Sequence, residues 1–229
     1  MLKKFWLLCS LFSVVLYGQN KVSGNLTAGA DSYEWIILYQ LKGGSQQYIL
    51  NTNITNGTFS FEMPEDAKSG VYRISYDNKN SGFVDVLYNH EDIELSFDPF
   101  DPLYTVAFTQ SEENKLFQEY FIKGAMQEAA LDSIQYVSFS QKKDDPATAA
   151  AYKQYLDEYE ALQQTFELKS MNTLAHHFIK AERKFYAPEL IDTPQEYLNT
   201  VKAHYFDYLD LLSPELHNSS LISDCLLYT

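Results

Sequence analysis

The spacing of apolar residues changes once along this chain, near residue 110, and this change limits the folds open to it. Between Val22 and Thr109, apolar residues alternate with polar ones, and turn-forming residues separate the short runs. Alternation with a period of two is typical of strands that bury one face. About eight such runs predict an antiparallel β-sandwich. The predicted strands are Lys21–Leu26, Trp35–Leu41, Tyr48–Ile54, Thr58–Met63, Val71–Tyr76, Phe83–Tyr88, Ile93–Phe97 and Tyr104–Phe108.

One turn in this half has a strong local signal. Asn56-Gly57 lies between the alternating runs Tyr48–Ile54 and Thr58–Met63. Both central residues of a type I′ turn need positive φ angles, which Asn and Gly adopt more readily than other residues. The sequence therefore predicts a β-hairpin at this point.

After Ser111 the apolar residues follow helical spacing. Ser111 precedes two acids, Glu112 and Glu113, as in a helix N-cap with negative charge in its first turn. Asp145-Pro146 has the same character and begins another predicted helix. The chain is thus predicted to be α+β, with a β-sandwich over 19–109 and an all-helical region over 110–229. The predicted apolar stripes are Leu116, Phe117, Tyr120 and Phe121; Leu131, Ile134 and Val137; Tyr152, Tyr155, Leu156, Tyr159, Leu162 and Phe166; Met171, Leu174, Phe178 and Ile179; and Tyr197, Val201, Tyr205, Tyr208 and Leu212.

Residues 1–18 have the pattern of a secretory signal peptide. Lys3 and Lys4 precede an uninterrupted apolar run, Phe5–Tyr17, and the small residue Gly18 follows it. The run is shorter than the roughly 20 residues that a membrane-spanning helix needs. A buried N-terminal helix is the alternative interpretation. We expect cleavage after Gly18, export to the periplasm or cell envelope, and no stable membrane insertion afterwards.

Charge and cysteine content exclude several classes of protein. The chain has 31 acidic and 17 basic residues, a net charge of −14, which repels phosphate backbones and argues against nucleic acid as a partner. Removal of Lys3 and Lys4 with the signal would leave 15 basic residues and a net charge of −16. Cys9 would leave as well, so Cys225 would be the single cysteine, unable to form an internal disulfide or a Cys-x-x-Cys pair.

Histidine and acidic residues form two candidate clusters in the helical region. His176 and His177 are neighbours, which point about 100° apart on a helix and do not converge on one metal ion. His204, Asp207 and Asp210 are spaced to line one side of a helix. That side is either a solvated acidic face or, less simply, a metal or acid–base site.

The remaining candidates have structural explanations. Asp98 and Asp101, in a repeated Phe-Asp-Pro, could offer carboxylates to calcium but lack the ligand-rich loop of a calcium hand, and Asp-Pro favours turns. Cys225 lies on an apolar face without a basic neighbour, as expected of a buried small hydrophobe. We therefore assign no catalytic, metal-binding or cofactor-binding residue and expect no cofactor.

Several motifs occur in an order that is familiar from one family. They include Lys21-Val22-Ser23-Gly24-Asn25-Leu26, Asn56-Gly57-Thr58-Phe59-Ser60-Phe61, Gly70-Val71-Tyr72-Arg73-Ile74, Glu91-Asp92-Ile93-Glu94-Leu95, the segment from Ser111 to Tyr120, and the segment from His204 to Leu221. In this order they resemble the N-terminal region of envelope thioredoxin-like proteins of the TlpA/redoxin type from Gram-negative bacteria. In those proteins a β-sandwich and a helical segment precede a thioredoxin fold.

The resemblance implies a non-catalytic part of a longer protein. The redox chemistry of that family belongs to a Cys-x-x-Cys in the thioredoxin domain, and no residue of this chain corresponds to it. The apolar face of the last predicted helix, with Ile222, Cys225 and Leu226, continues to the last residues, which is expected of a fragment. The resemblance implies a role in positioning an attached thioredoxin domain or in binding substrate proteins. The alternative is a stand-alone exported binding module without a redox role.

Overall fold

The computed structural model describes residues 19–29, 32–77, 82–140 and 145–227, so the predicted signal peptide lies outside the described residues. Within these ranges two four-stranded sheets precede a helical region, which confirms the predicted α+β fold class. The strands are β1 (Lys21–Leu26), β2 (Trp35–Lys42), β3 (Ser45–Asn53), β4 (Thr58–Glu62), β5 (Gly70–Ser75), β6 (Phe83–Tyr88), β7 (Ile93–Phe97) and β8 (Ala107–Gln110). The helices are α1 (Pro102–Thr105), α2 (Glu112–Ser138), α3 (Pro146–Lys169), α4 (Leu174–Ala181), α5 (Pro194–Ala203), α6 (Pro214–His217) and α7 (Leu221–Leu227).

The two sheets stack face to face as a sandwich. Their strand orders are β4-β1-β7-β8 and β3-β2-β5-β6. Alternating side chains from both sheets fill the space between them, among them Val22, Ile36, Phe61, Ile74 and Phe97. Every pair of strands is antiparallel except β1 and β7, which run parallel with Val22 opposite Ile93. The predicted sandwich is therefore confirmed, with one parallel pairing that the sequence did not indicate.

The Asn56-Gly57 turn has the predicted backbone but not the predicted hairpin. The φ angles are +51° for Asn56 and +77° for Gly57. After a single bridge between Thr55 and Thr58, β3 and β4 diverge into different sheets. β4 pairs with β1 instead, which places Phe59 and Phe61 in the core. The turn thus carries the chain across the sandwich.

The predicted strand Tyr104–Phe108 is also wrong in its first half. Residues Pro102–Thr105 form the short helix α1, because Pro102 occupies the first helical position, where its fixed φ angle is favourable. The Val106 amide donates to the Pro102 carbonyl oxygen over 3.1 Å and closes this turn. Strand β8 begins only afterwards and pairs Phe108 with Leu95 of β7.

Buried polar side chains connect the first three long elements of the helical region. The hydroxyl of Tyr120 on α2 donates to Gln163 Oε1 on α3 over 3.0 Å. Gln163 Nε2 in turn donates to the carbonyl oxygen of Ile179 on α4 over 3.1 Å. Gln163 is fully buried, so these bonds satisfy polar groups that would otherwise be costly to bury.

The helical region packs on the outer face of the second sheet. Leu41, Val71 and Leu87 project from β2, β5 and β6 into one cluster with Phe178 and Ile222. Backbone hydrogen bonds reinforce this contact, since Gly43 donates to His217 over 3.0 Å and Val71 donates to Asn218 over 2.8 Å. The sandwich and the helices therefore share a continuous apolar interface.

The last predicted stripe, Tyr197–Leu212, does not form one helix. Helix α5 ends at Ala203, and His204 is its C-cap with φ −109° and ψ 8°. Residues 204–208 continue as turns. The prediction that His204, Asp207 and Asp210 lie on one side of a helix is therefore wrong.

The close approach of β1 to β7 generates a stability prediction. A Cβ atom on Gly24 would lie 2.5 Å from the carbonyl oxygen of Leu95 and 2.9 Å from the Phe59 ring. We expect Gly24→Ala to lower the free energy of unfolding by about 2 kcal/mol, because the β7 backbone must shift. Urea unfolding followed by circular dichroism measures this change.

Gly124 in α2 provides the matched control. A Cβ atom there would meet nothing within 4 Å. Gly124→Ala should raise stability by about 0.5–1 kcal/mol through helix propensity. Equal effects of the two substitutions would contradict the tight β1–β7 packing.

Candidate functional site

The two adjacent histidines do not converge, as the sequence predicted. His176 Nδ1 lies 3.1 Å from Ser170 Oγ and 3.2 Å from the Glu167 carbonyl oxygen. His177 Nδ1 lies 3.8 Å from a carboxylate oxygen of Glu215. Each ring therefore has a separate structural partner.

His204 and Asp207 meet in the turn after α5. His204 Nδ1 lies 2.6 Å from Asp207 Oδ2, and the imidazole stacks on Phe185 with the ring centroids 3.8 Å apart. Asp210 is elsewhere occupied, since its Oδ1 accepts from the Leu212 amide over 3.0 Å. His204 and Asp207 form an exposed surface contact, and Asp210 is not part of it.

The other candidates have local roles. Asp98 Oδ1 accepts from the Phe100 amide over 2.9 Å, which is the turn geometry expected of Asp-Pro. Cys225 is half-buried. Burial raises the pKa of its thiol, and a hydrogen bond with Tyr205 only partly opposes this effect. Across residues 19–29, 32–77, 82–140 and 145–227, no three His, Cys, Asp or Glu side chains are grouped to hold a metal ion. Among the helices described here, none is long and apolar enough to cross a membrane.

A groove with apolar walls runs along strand β6. Among the described strands, β6 is an edge of the second sheet and pairs with β5 alone. The groove has a volume of about 460 Å³, within the roughly 300–1,000 Å³ typical of binding pockets. We call it the β6 groove.

Asn114 closes one end of the β6 groove. Its Oδ1 accepts from the Leu87 amide over 2.8 Å, and its Nδ2 donates to the Leu87 carbonyl oxygen over 2.7 Å. The side chain is only 3% exposed, so these bonds form away from solvent. The amide of Asn114 thus satisfies Leu87 as a neighbouring strand would.

The backbone groups of Phe83 and Asp85 face the same way as those of Leu87. Backbone groups on successive residues of an edge strand alternate between the sheet and the outside. Val71 on β5 lies opposite Leu87, and its amide donates away from β6 to Asn218. Val71 and Leu87 are therefore not hydrogen-bonded to each other, and the backbone groups of Leu87 point away from β5. Phe83 and Asp85 therefore direct N–H and C=O groups into the β6 groove, where no other described residue hydrogen-bonds to them.

Apolar side chains form two walls of the β6 groove. On the sandwich side, Leu103, Val106 and Phe108 line it, and α2 contributes Phe117 and Phe121. Leu103 is 54% exposed and Phe121 is 38% exposed. Exposed apolar surface of this kind beside an open strand edge is typical of interaction sites.

Acidic side chains dominate the charge of the opposite wall. Asp85 forms a two-point ion pair with Arg73, with N–O distances of 2.8 and 2.7 Å. Glu182 and Asp224, from the C-terminal end of α4 and from α7, also line the groove. No hydrogen bond or ion pair from a described residue reaches either of these two carboxylates.

Two carboxyl groups of this wall have raised pKa values. Desolvation first, then the carboxylates of Glu128 and Asp224, raise the pKa of Glu182, while Lys184 opposes them. Desolvation also raises the pKa of Asp85 against the effect of Arg73, although a third of the Asp85 side-chain surface is accessible. Both carboxyl groups would be stabilised in their charged form by a bound cation.

Glu113 holds the two helical walls together. Its carboxylate accepts from the Leu174 and Ala175 amides at 3.1 and 3.3 Å, which caps the N-terminus of α4, and from Asn89 Nδ2 at 3.0 Å. The sequence pattern indicated that Glu113 interacts with the dipole of its own helix, α2. Its reach to α4 depends on tertiary packing and has no local sequence signal.

Sequence reasoning missed Asn114, Glu182 and Asp224 as groove residues. A partial signal was available in Arg73 and Asp85, opposite charges on the outer faces of successive strands. Which strand becomes an edge, however, depends on pairing between distant segments.

Comparison with known proteins gives one match. Residues 20–117 match a family model described as a domain of unknown function, DUF4369. No curated protein and no solved structure matches this chain. The matched segment contains the eight strands, α1 and the first residues of α2, and therefore includes β6 and Asn114 but neither α4 nor α7.

The Asn114–Leu87 contact generates a second prediction. Asn114→Ala removes both hydrogen bonds and leaves two buried backbone groups of Leu87 unsatisfied. We expect it to lower the free energy of unfolding by about 3 kcal/mol. Asn199→Ala, at an exposed helical asparagine, should change stability by less than about 0.5 kcal/mol. Urea unfolding of both variants measures the difference, and similar values would show that Asn114 does not anchor α2 to the sheet.

Proposed function

We propose that this chain is the non-catalytic, polypeptide-binding part of an exported thioredoxin-like thiol–disulfide oxidoreductase. The β6 groove is the observation that carries the binding role. In this proposal the groove holds an extended segment of a substrate protein, and an attached thioredoxin domain performs the redox step.

The composition of the groove favours polypeptide as its ligand. It combines unpaired backbone donors and acceptors of Phe83 and Asp85 with apolar walls that include Leu103 and Phe121. An extended chain can pair with such an edge through its own backbone and place side chains against the walls. Within the described part of β6, two residues face outward without a partner, so a short segment suffices.

The properties of Cys225 support a non-catalytic role for this chain. Thiol–disulfide exchange requires a thiolate, and catalytic cysteines have pKa values lowered by positive charge or a helix N-terminus. At Cys225 burial, with contributions from Glu182 and Asp224, raises the pKa above that of a free thiol. The thiolate population at neutral pH is therefore small.

Two other parts of the proposal rest on sequence. The link to thioredoxin-like proteins rests on the ordered motifs from Lys21-Val22-Ser23-Gly24 onward, and export rests on the pattern of residues 1–18. A stand-alone exported binding module is the second candidate, because residues of this chain alone complete the groove. A Cys-x-x-Cys thioredoxin domain encoded beyond Thr229 would favour the first candidate over the second.

A binding measurement tests the proposed function. Reduced, carboxymethylated α-lactalbumin serves as a permanently unfolded probe, and fluorescence anisotropy reports its affinity. We expect Leu103→Ser combined with Phe121→Ser to weaken binding about tenfold, because the variant loses two apolar contacts. The matched control combines Leu168→Ser and Leu198→Ser, which remove two exposed apolar side chains outside the groove.

Polypeptide binding by the groove and the non-catalytic role of the chain are each contradicted by a different result. Equal affinities of the groove variant and the control variant, or no binding by the unaltered chain, would exclude the groove as a polypeptide site. The chain should also fail to catalyse insulin reduction by dithiothreitol, with or without Cys225→Ser. Catalysis that disappears in Cys225→Ser would contradict the non-catalytic role.

A further inference from the structure

We propose that the β6 groove selects an extended segment in which basic and apolar residues alternate, and that this segment joins the second sheet as a fifth strand beside β6. The inference rests on the proposed function and specifies its ligand class. Three features of the groove carry it. They are the residues of β6 whose backbone groups point outward, the different chemistry of the two walls, and the acids without ion-pair partners on one of them.

The strand edge fixes where hydrogen bonds can form. Phe83 and Asp85 direct their backbone groups outward, whereas those of Val84 and Val86 face β5. Asn114 already occupies the next outward position, at Leu87, with bonds of 2.8 and 2.7 Å. The Asn114 amide therefore imitates one peptide group of an added strand and marks the end of the free edge.

The two faces of an added strand would meet different surroundings. Side chains of a strand alternate between the faces of its sheet. On the inner face, an added strand would contact Leu103, Val106 and Phe108, which are apolar. On the outer face, shared with the Asp85 side chain, it would meet the carboxylates of Glu182 and Asp224 beside the apolar side chains of Phe178 and Leu221. A residue pattern with a period of two, apolar and then basic, satisfies both faces.

Charge determines which polar residue the outer face accepts. Arg73 holds Asp85 in a two-point pair, lies 3.6 Å from the centre of the Phe83 ring and interacts electrostatically with Asp224. Glu182 and Asp224 remain without ion-pair partners among the described residues. Lys184 and Glu128 also act on Glu182, and with them included the net charge of the groups around this wall remains negative. The wall therefore attracts lysine or arginine and repels aspartate or glutamate.

The same charges disfavour a second copy of this chain as the occupant. Pairing of β6 with β6 would bring the Glu182 and Asp224 side chains of two copies to one interface. The chain as a whole carries a net charge of −14, which adds to the repulsion. A basic segment of another protein fits the groove better.

The first test uses synthetic peptides with the full chain. The probe is a blocked heptapeptide in which lysine and valine alternate, and its affinity is measured by fluorescence anisotropy. The controls are a peptide of the same composition with lysines and valines in separate blocks, and an alternating glutamate–valine peptide. We expect the alternating basic peptide to bind at least tenfold more tightly than either control. Equal binding of the alternating and block peptides would overturn the proposal.

N-methylation of the peptide tests strand addition without altering the protein. In an extended strand, alternate amides point to the same side, so only one set can face β6. Methylation of that set should abolish binding, and methylation of the other set should leave it within about twofold. Loss with the lysine amides indicates antiparallel addition, and loss with the valine amides indicates parallel addition. If both sets behave alike, the peptide does not join the sheet.

Charge variants of the protein test the outer wall. Glu182→Gln combined with Asp224→Asn should weaken binding of the alternating basic peptide about five- to tenfold, because exposed ion pairs contribute up to about fivefold each. Glu65→Gln combined with Glu189→Gln removes two exposed acids outside the groove and serves as the control. Equal losses in both variants would show attraction by net charge alone and would overturn the proposed site.

The outcomes separate this inference from the proposed function. Binding of unfolded α-lactalbumin that depends on Leu103 and Phe121, together with indifference to peptide pattern and N-methylation, would retain a polypeptide groove and refute strand addition. Absence of both kinds of binding would refute the proposed function as well. Urea unfolding of each variant shows whether a loss of affinity reflects a loss of folding.

Discussion

The contact between Asn114 and Leu87 determines how the two parts of this protein meet. The backbone of Asn114 cannot pair with the edge of the sheet, because its N–H donates to the N-cap residue Ser111 over 3.2 Å and its C=O lies within the helix. Asn114 solves this problem with a side-chain amide, which offers one donor and one acceptor with the spacing of a peptide group. The contact fixes the start of α2 at β6, and the direction of α2 then sets one wall of the groove.

Further polar contacts make the helical walls a connected unit. Glu113, next to Asn114, caps α4, and Gln163 joins α3 to both α2 and α4. Asn218 binds the first residues of β5, where a Cβ atom on Gly70 would lie 2.8 Å from it. Because each of these groups spans two elements, the groove between β6 and the helices has a defined width. A preformed site of this kind loses less entropy on binding than a flexible one.

The sequence predicted what depends on near neighbours. Ser111 and Asp145 cap helices as expected, and the strand predicted over Phe83–Tyr88 has its observed bounds. Errors arose where distant segments compete for pairing. Asn56-Gly57 has hairpin φ angles, yet β4 pairs with β1, and the stripe beyond Ala203 lacks a continuous helix. The groove itself could not be predicted, because Glu182 and Asp224 approach β6 only through helix packing.

Amide hydrogen exchange, resolved by residue with NMR, tests the central claim that β6 has a free edge limited by Asn114. The amides of Val84, Val86 and Leu87 are expected to exchange slowly, and those of Phe83 and Asp85 quickly. Addition of the alternating lysine–valine peptide should then slow exchange at Phe83 and Asp85. Slow exchange at Phe83 and Asp85 in the free protein, or no change at saturation with peptide, would contradict this claim.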